Sequence, residues 1–95
     1  MHAPITSVAL PAQVMQAQAQ SVANSLVQLL LVRVREGREA VLDASALNQF
    51  DSSALAVVLA CRRAVMAQGA SLHVQGLPAR AQALAQVYGV AELLV

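Results

Sequence analysis

The chain has no lysine and no tryptophan, a single cysteine, and only Phe50 and Tyr88 as aromatics. One cysteine excludes an intrachain disulfide and a cysteine-based zinc site. Cys61 stands in an apolar run and reads as a small packing residue. His2 and His73 are far apart in sequence, so no metal or cofactor is expected. Charged residues make up only 12% of the chain, the net charge is +1, and the six arginines form no tract. Without a basic patch or a row of aromatics, nucleic-acid recognition is not expected. No charged side chain other than a possible His2 precedes Arg33, which invites a membrane reading. Gln13, Gln16, Gln18, Gln20, Asn24 and Gln28 interrupt that segment. The apolar run from Ala54 to Cys61 is also far short of the roughly 20 residues a spanning helix needs. The N-terminus lacks a basic n-region, so no secretory leader is expected and the chain is expected in the cytoplasm.

What is abundant is apolar. Hydrophobic residues are 58% of 95 residues, a length that makes one domain, 1–95, able to fold without staples. So little solvated surface fits a subunit that hides part of itself against a partner. An alanine-rich composition would give the same figures with no partner at all.

Residues 40–61 organise the rest. Ala40-Val41-Leu42-Asp43 reads as a strand buried on both faces. A short polar loop follows, then Asp51-Ser52-Ser53 opens a long apolar helix. Asp51 suits an N-cap, where its carboxylate accepts an orphan N–H and complements the helix dipole. The helix is expected from about Ser52 to Ala67, with Leu55, Val58, Leu59 and Met66 as its core stripe. Ser52, Ala56, Ala60 and Arg63 fall on a different stripe, small in the middle and polar at its ends.

Elsewhere, residues 5–10 suit a first strand and Pro11-Ala12 punctuate the chain. Residues 13–20 alternate Met15, Ala17 and Ala19 with glutamine, which suits a half-exposed strand. Alanine and glutamine also favour helix, so local pattern leaves both open. Residues 22–35 read as a helix capped by Ser21, with Val22, Leu26, Leu29 and Leu30 at helical spacing. Residues 71–75 form a further strand. Pro78 opens a last helix, with Ala81, Leu84, Ala85 and Tyr88 toward the core, and Val90 to Val95 pack as an apolar tail. Strand–helix–strand–helix order implies a mainly parallel sheet with right-handed crossovers.

Catalytic parts are scarce. The acids are Glu36, Glu39, Asp43, Asp51 and Glu92. Asp43 and Asp51 flank a loop and could approach each other, but no His or Lys adjoins them to complete an acid–base site. No glycine-rich phosphate loop occurs. Ser52 and Ser53 have no base nearby in sequence. Helix capping is their simplest role, then partner contact, then phosphorylation. No enzyme is expected.

Asp43, Ser45, Asp51, Ser52 and Leu55 together resemble the signature of the STAS family, the sulfate-transporter and anti-sigma-factor-antagonist domain. There a strand ends in Asp-x-Ser and a loop leads to Asp-Ser/Thr-x-Gly-Leu. Ala54 stands where the family usually has glycine. The resemblance implies an α/β fold, a mostly parallel four- to five-stranded sheet with about three helices packed against it, and favours a strand hairpin over residues 5–20. It also implies that Asp43 and Asp51 order the loop beneath the helix. In STAS proteins that antagonise anti-sigma factors, the phosphorylated serine maps to Ser53. In the STAS subunits of Mla-type phospholipid ABC transporters, the hydroxyl residue that contacts the ATPase subunit maps to Ser52. Leu72-His73-Val74-Gln75-Gly76-Leu77 and Leu84-Ala85-Gln86-Val87-Tyr88-Gly89-Val90 are similar to the end of the transporter type. That likeness implies a non-catalytic subunit that binds a cytoplasmic ATPase subunit, in a complex with a membrane permease. Contact would run through Ser52, Ser53, Ala56, Ala60 and Arg63. The alternative is an anti-sigma-factor antagonist switched at Ser53.

Overall fold

The computed structural model describes residues 7–94. His2, the start of the expected first strand at residues 5 and 6, and the final residue of the apolar tail lie outside them. The described chain runs β1 (Ser7–Ala9), β2 (Gln13–Val14), α1 (Gln16–Arg35), β3 (Ala40–Asp43), β4 (Gln49–Phe50), α2 (Ser53–Met66), β5 (Leu72–Gln75) and α3 (Ala79–Val87), and closes in a 3-10 turn, Ala91–Leu94.

β1, β3 and β5 form a parallel sheet with β3 in the middle. Val8, Leu42 and Val74 share one register row, with Ser7, Val41 and His73 beside them in the next. Side chains alternate across a strand, so these rows face opposite sides. The Val8–Leu42 side, with Ala40 and Leu72, joins the helices in one core. Val41 is buried but lies outside that core. It sits on the reverse face between half-exposed Ser7 and exposed His73.

The expected sheet of four to five strands is instead three plus two. β2 and β4 pair only with each other, in parallel, through Gln13–Gln49 and Val14–Phe50. The same two chain segments that pair as β1–β3 therefore pair again as β2–β4 after an interruption. Pro11 on one side lacks an N–H, and the turn at Ser45–Ala46 intervenes on the other. Ala12 O then accepts N–H bonds from both Asn48 and Gln49, at 2.8 and 2.9 Å, and restarts the ladder. The expected β1–β2 hairpin does not form, since neither strand pairs with the other.

Helix also wins over strand after Val14. α1 begins at Gln16, and Ser21 is an exposed mid-helix residue rather than a cap. Alanine and glutamine are good helix formers, and the first turn is capped from two directions. The Gln18 side chain reaches back to accept the Met15 N–H at 2.9 Å. The Gln16 N–H donates to Asp51 Oδ2 at 3.2 Å.

In α2 the buried residues are Ala54, Leu55, Val57, Val58, Cys61 and Val65. The expected core stripe is therefore rotated: Leu59 is half-buried and Met66 is 49% exposed. α2 packs against the sheet on one side and α1 on another, which centres its buried arc on Val58, Cys61 and Val65. In α3, Ala81 and Ala85 are buried as expected, but Tyr88 lies past the helix end and is 59% exposed. Among the described residues no helix is long and apolar enough to cross a membrane.

Candidate functional site

The site is built where β3 hands over to α2. The Asp43 carboxylate folds back on its own turn, where Oδ1 accepts the Ser45 N–H at 3.0 Å. That bond, with a further one from the Ser45 hydroxyl, holds the Asp43 carboxyl below its usual value. The turn is held from the other side by Gly76, whose φ is +73°. A Cβ there would stand 2.8 Å from Ser45 Cβ, so glycine is required both for its conformation and for its lack of a side chain.

Asp51 does more than cap α2. Its Oδ1 accepts the Ser53 N–H at 2.8 Å and its Oδ2 accepts the Gln16 N–H of α1 at 3.2 Å. One carboxylate thus holds the first turns of two helices. The Ser53 N–H, then the Ser53 hydroxyl, then the Gln16 N–H hold the Asp51 carboxyl below its usual value. Asp43 and Asp51 each order a backbone turn, and no hydrogen bond links the two.

This arrangement separates the two serines. Ser53 is half-buried and its N–H donates to Asp51 Oδ1. Ser52 is exposed at the helix mouth and makes no side-chain capping bond. Beyond it, Ala56 and Arg63 are exposed and Ala60 is half-buried. The five residues expected to meet a partner therefore lie on or beside one outward strip of α2.

Ala56 is the ridge between two shallow grooves. On one side Ser52, Leu55, Ala56 and Leu59 face Tyr88 and Val90 across a mainly apolar groove of about 310 Å³. On the other, Ala56, Ala60 and Arg63 face Ala19, Gln20 and Ala23 of α1. Tyr88, Val90 and the α1 residues are the part that sequence reading missed. Tyr88 sits at helical spacing from Ala81 and Ala85, which hides the fact that α3 ends at Val87. For α1, the pair Ala19 and Ala23 matched to Ala56 and Ala60 was a signal, since residues four apart share a helix face.

Arg80, the nearest cation to Phe50, lies 4.4 Å from that ring's centroid and reaches the Phe50 carbonyl at 3.5 Å. His73 stands 3.9 Å from Glu39 on the exposed reverse side of the sheet. Among the described residues no group of three or more His, Cys, Asp and Glu side chains comes together. What the strip offers is a concave apolar surface with exposed polar ends.

Residues 6–95 match the family model described as "Mlab, STAS domain". Comparison with curated proteins and with solved structures returned no match.

Proposed function

We propose, from the premise that this chain belongs to the STAS family and matches its Mlab model almost end to end, that it is a non-catalytic subunit of an Mla-type phospholipid-transport ABC complex. It binds the cytoplasmic ATPase subunit and supports that subunit's assembly or activity. It lies peripheral to the inner membrane through that partner, and nucleotide binds the partner, not this chain.

The observation that carries the reading is the outward strip of α2. The helix is the most deeply packed in the molecule, with six buried residues, yet it presents exposed Ser52, Ala56 and Arg63 beside an apolar groove. Small residues there let another backbone approach closely, and Ser52 offers a hydroxyl unclaimed by capping.

The test is recovery of the tagged chain from its native host, with mass spectrometry of what accompanies it. An ABC ATPase with a permease is the expected result. A serine-kinase anti-sigma factor in its place would move the function to the phosphorylation-switched antagonist. Ala56→Arg should abolish recovery of the ATPase while leaving the thermal midpoint of the isolated domain within a few degrees. A complex that survives Ala56→Arg would put the contact on another face.

A further inference from the structure

The helices are charged in one sign only. α1, α2 and α3 contain no aspartate or glutamate, while they hold Arg33, Arg35, Arg62, Arg63 and Arg80. All five acids stand outside them, in the connections, the end of β3 and the last 3-10 turn. Most of those acids are engaged: Glu36 pairs with Arg38 at 2.9 Å, Asp43 and Asp51 accept backbone N–H bonds, and Glu39 faces His73. Arg80 is held on Phe50, and Arg62 shares a depression with Glu92. Arg63 is different. It is exposed, it lines the groove that α2 shares with α1, and no acid lines that groove or the apolar one across Ala56.

We infer that the element covering this face is an acidic, amphipathic segment of the partner protein. Its apolar side lies in the groove of Ser52, Leu55, Ala56, Leu59, Tyr88 and Val90, and a carboxylate at its end pairs with Arg63. The inference rests on the ATPase-binding reading and adds the chemistry of the contact. Charge complementarity selects an acidic occupant, because the Arg63 guanidinium in the adjoining groove across Ala56 repels a basic one and is left unmatched by a neutral one. A guanidinium also matches a carboxylate with two parallel hydrogen bonds. A protein segment suits the site better than a bilayer: the surface is concave, and a net charge of +1 gives little of the polybasic attraction that holds a domain on anionic lipid.

The experiment uses the full chain and the ATPase subunit of the Mla-type transporter from the same genome, with the dissociation constant measured at 50 and 300 mM salt. Arg63→Glu is compared with Arg38→Glu, which changes net charge equally but sits in the loop after α1. The expected result is an affinity loss of about tenfold or more for Arg63→Glu, a change within twofold for Arg38→Glu, and wild-type binding that weakens with salt more than Arg63→Glu binding does. Equal effects of the two substitutions, or none from Arg63→Glu in a wild type that binds, overturn this inference and leave the transporter reading in place. A wild type that does not bind the ATPase overturns both. Flotation of the isolated chain with vesicles of phosphatidylcholine and phosphatidylglycerol would assign the cationic face to lipid and overturn the acidic-segment inference.

Discussion

α1 and α2 lie side by side and run in the same direction, yet they are held in opposite ways. α2 buries six of its 14 residues, while α1 buries only Leu26 and Leu30 of its 20. α2 is fixed by packing along its length. α1 rests on two anchors, a partly buried fringe, and the Asp51 bond at its first turn. The difference teaches that a helix can be long and well capped and still contribute little to the core. It also explains why the outer strip of α2 can be small and exposed without loosening the helix: the opposite side alone secures it.

The sharpest way to break this comparison is at α1's anchors. Leu30 is fully buried and Leu29 beside it is 49% exposed. Leu30→Ala should cost about 2–5 kcal/mol in urea unfolding, and Leu29→Ala no more than about 0.5 kcal/mol. If the two cost the same, α1 is gripped around its circumference and the contrast fails. Next is Gly76→Ala, which acts on the turn feeding α2 rather than on either helix. A positive φ and a 2.8 Å contact with Ser45 together should cost about 1–3 kcal/mol, read as a fall in the thermal midpoint. An unchanged midpoint would mean that Ser45 yields easily and that the turn does not brace α2.

Asp51→Asn tests the link between the two helices. A carboxylate has two accepting oxygens and an amide only one, so one of the two N–H bonds must be lost. The Gln16 bond is the longer, so hydrogen exchange should speed at the first turn of α1 and stay slow at Ser53. The reverse pattern would make α1's claim on Asp51 the stronger one. The same residue gives a pH dependence. Its carboxyl is held below the usual value in the fold, so its contribution is present above the unfolded carboxylate value of about 3.9 and is lost as pH falls through the lower folded one. Asp51→Asn should flatten that part of an acid titration of stability.

The smallest effect is on the buried side of α2. Burial pushes the Cys61 thiol up to about 11. Native protein at pH 8 should therefore resist thiol reagents that label the urea-unfolded chain. Since the unfolded thiol ionises near 8.5, the unfolded state gains as pH rises past that point, and stability should drop slightly there. Rapid labelling of native protein would show that α2 opens far more often than its packing implies.

The β3–α2 unit was legible because every local signal agreed: an unbroken apolar strand, a capping aspartate and a helix with few polar interruptions. Asp51 was legible as a helix cap from its position before Ser52-Ser53, whereas the turn-ordering role of Asp43 came only with the family resemblance. The stretch 13–20 was not legible, because alternating alanine and glutamine satisfy a strand pattern and a helix propensity at once. The deciding contact comes from Asp51, 35 residues away from Gln16. The split of the sheet was hidden for a related reason. A break opposite Pro11 depends on which segment lies beside it, and that is a property of the fold. Tyr88 was misplaced because periodicity says nothing about where a helix stops. At the candidate site, sequence supplied the strip on α2 but not the walls that make it a groove, which come from α1 and the exit of α3.

The shared aspartate has a further consequence, seen by counting charge at the helix mouths. Each helix N-terminus carries roughly half a positive elementary charge. Two such ends meet at Asp51, which brings one whole negative charge, and the local sum is close to zero. A helix mouth ordinarily welcomes an anion. This pair has already taken one into the covalent chain, so the backbone's pull on an incoming phosphate or carboxylate at Ser52 is largely spent.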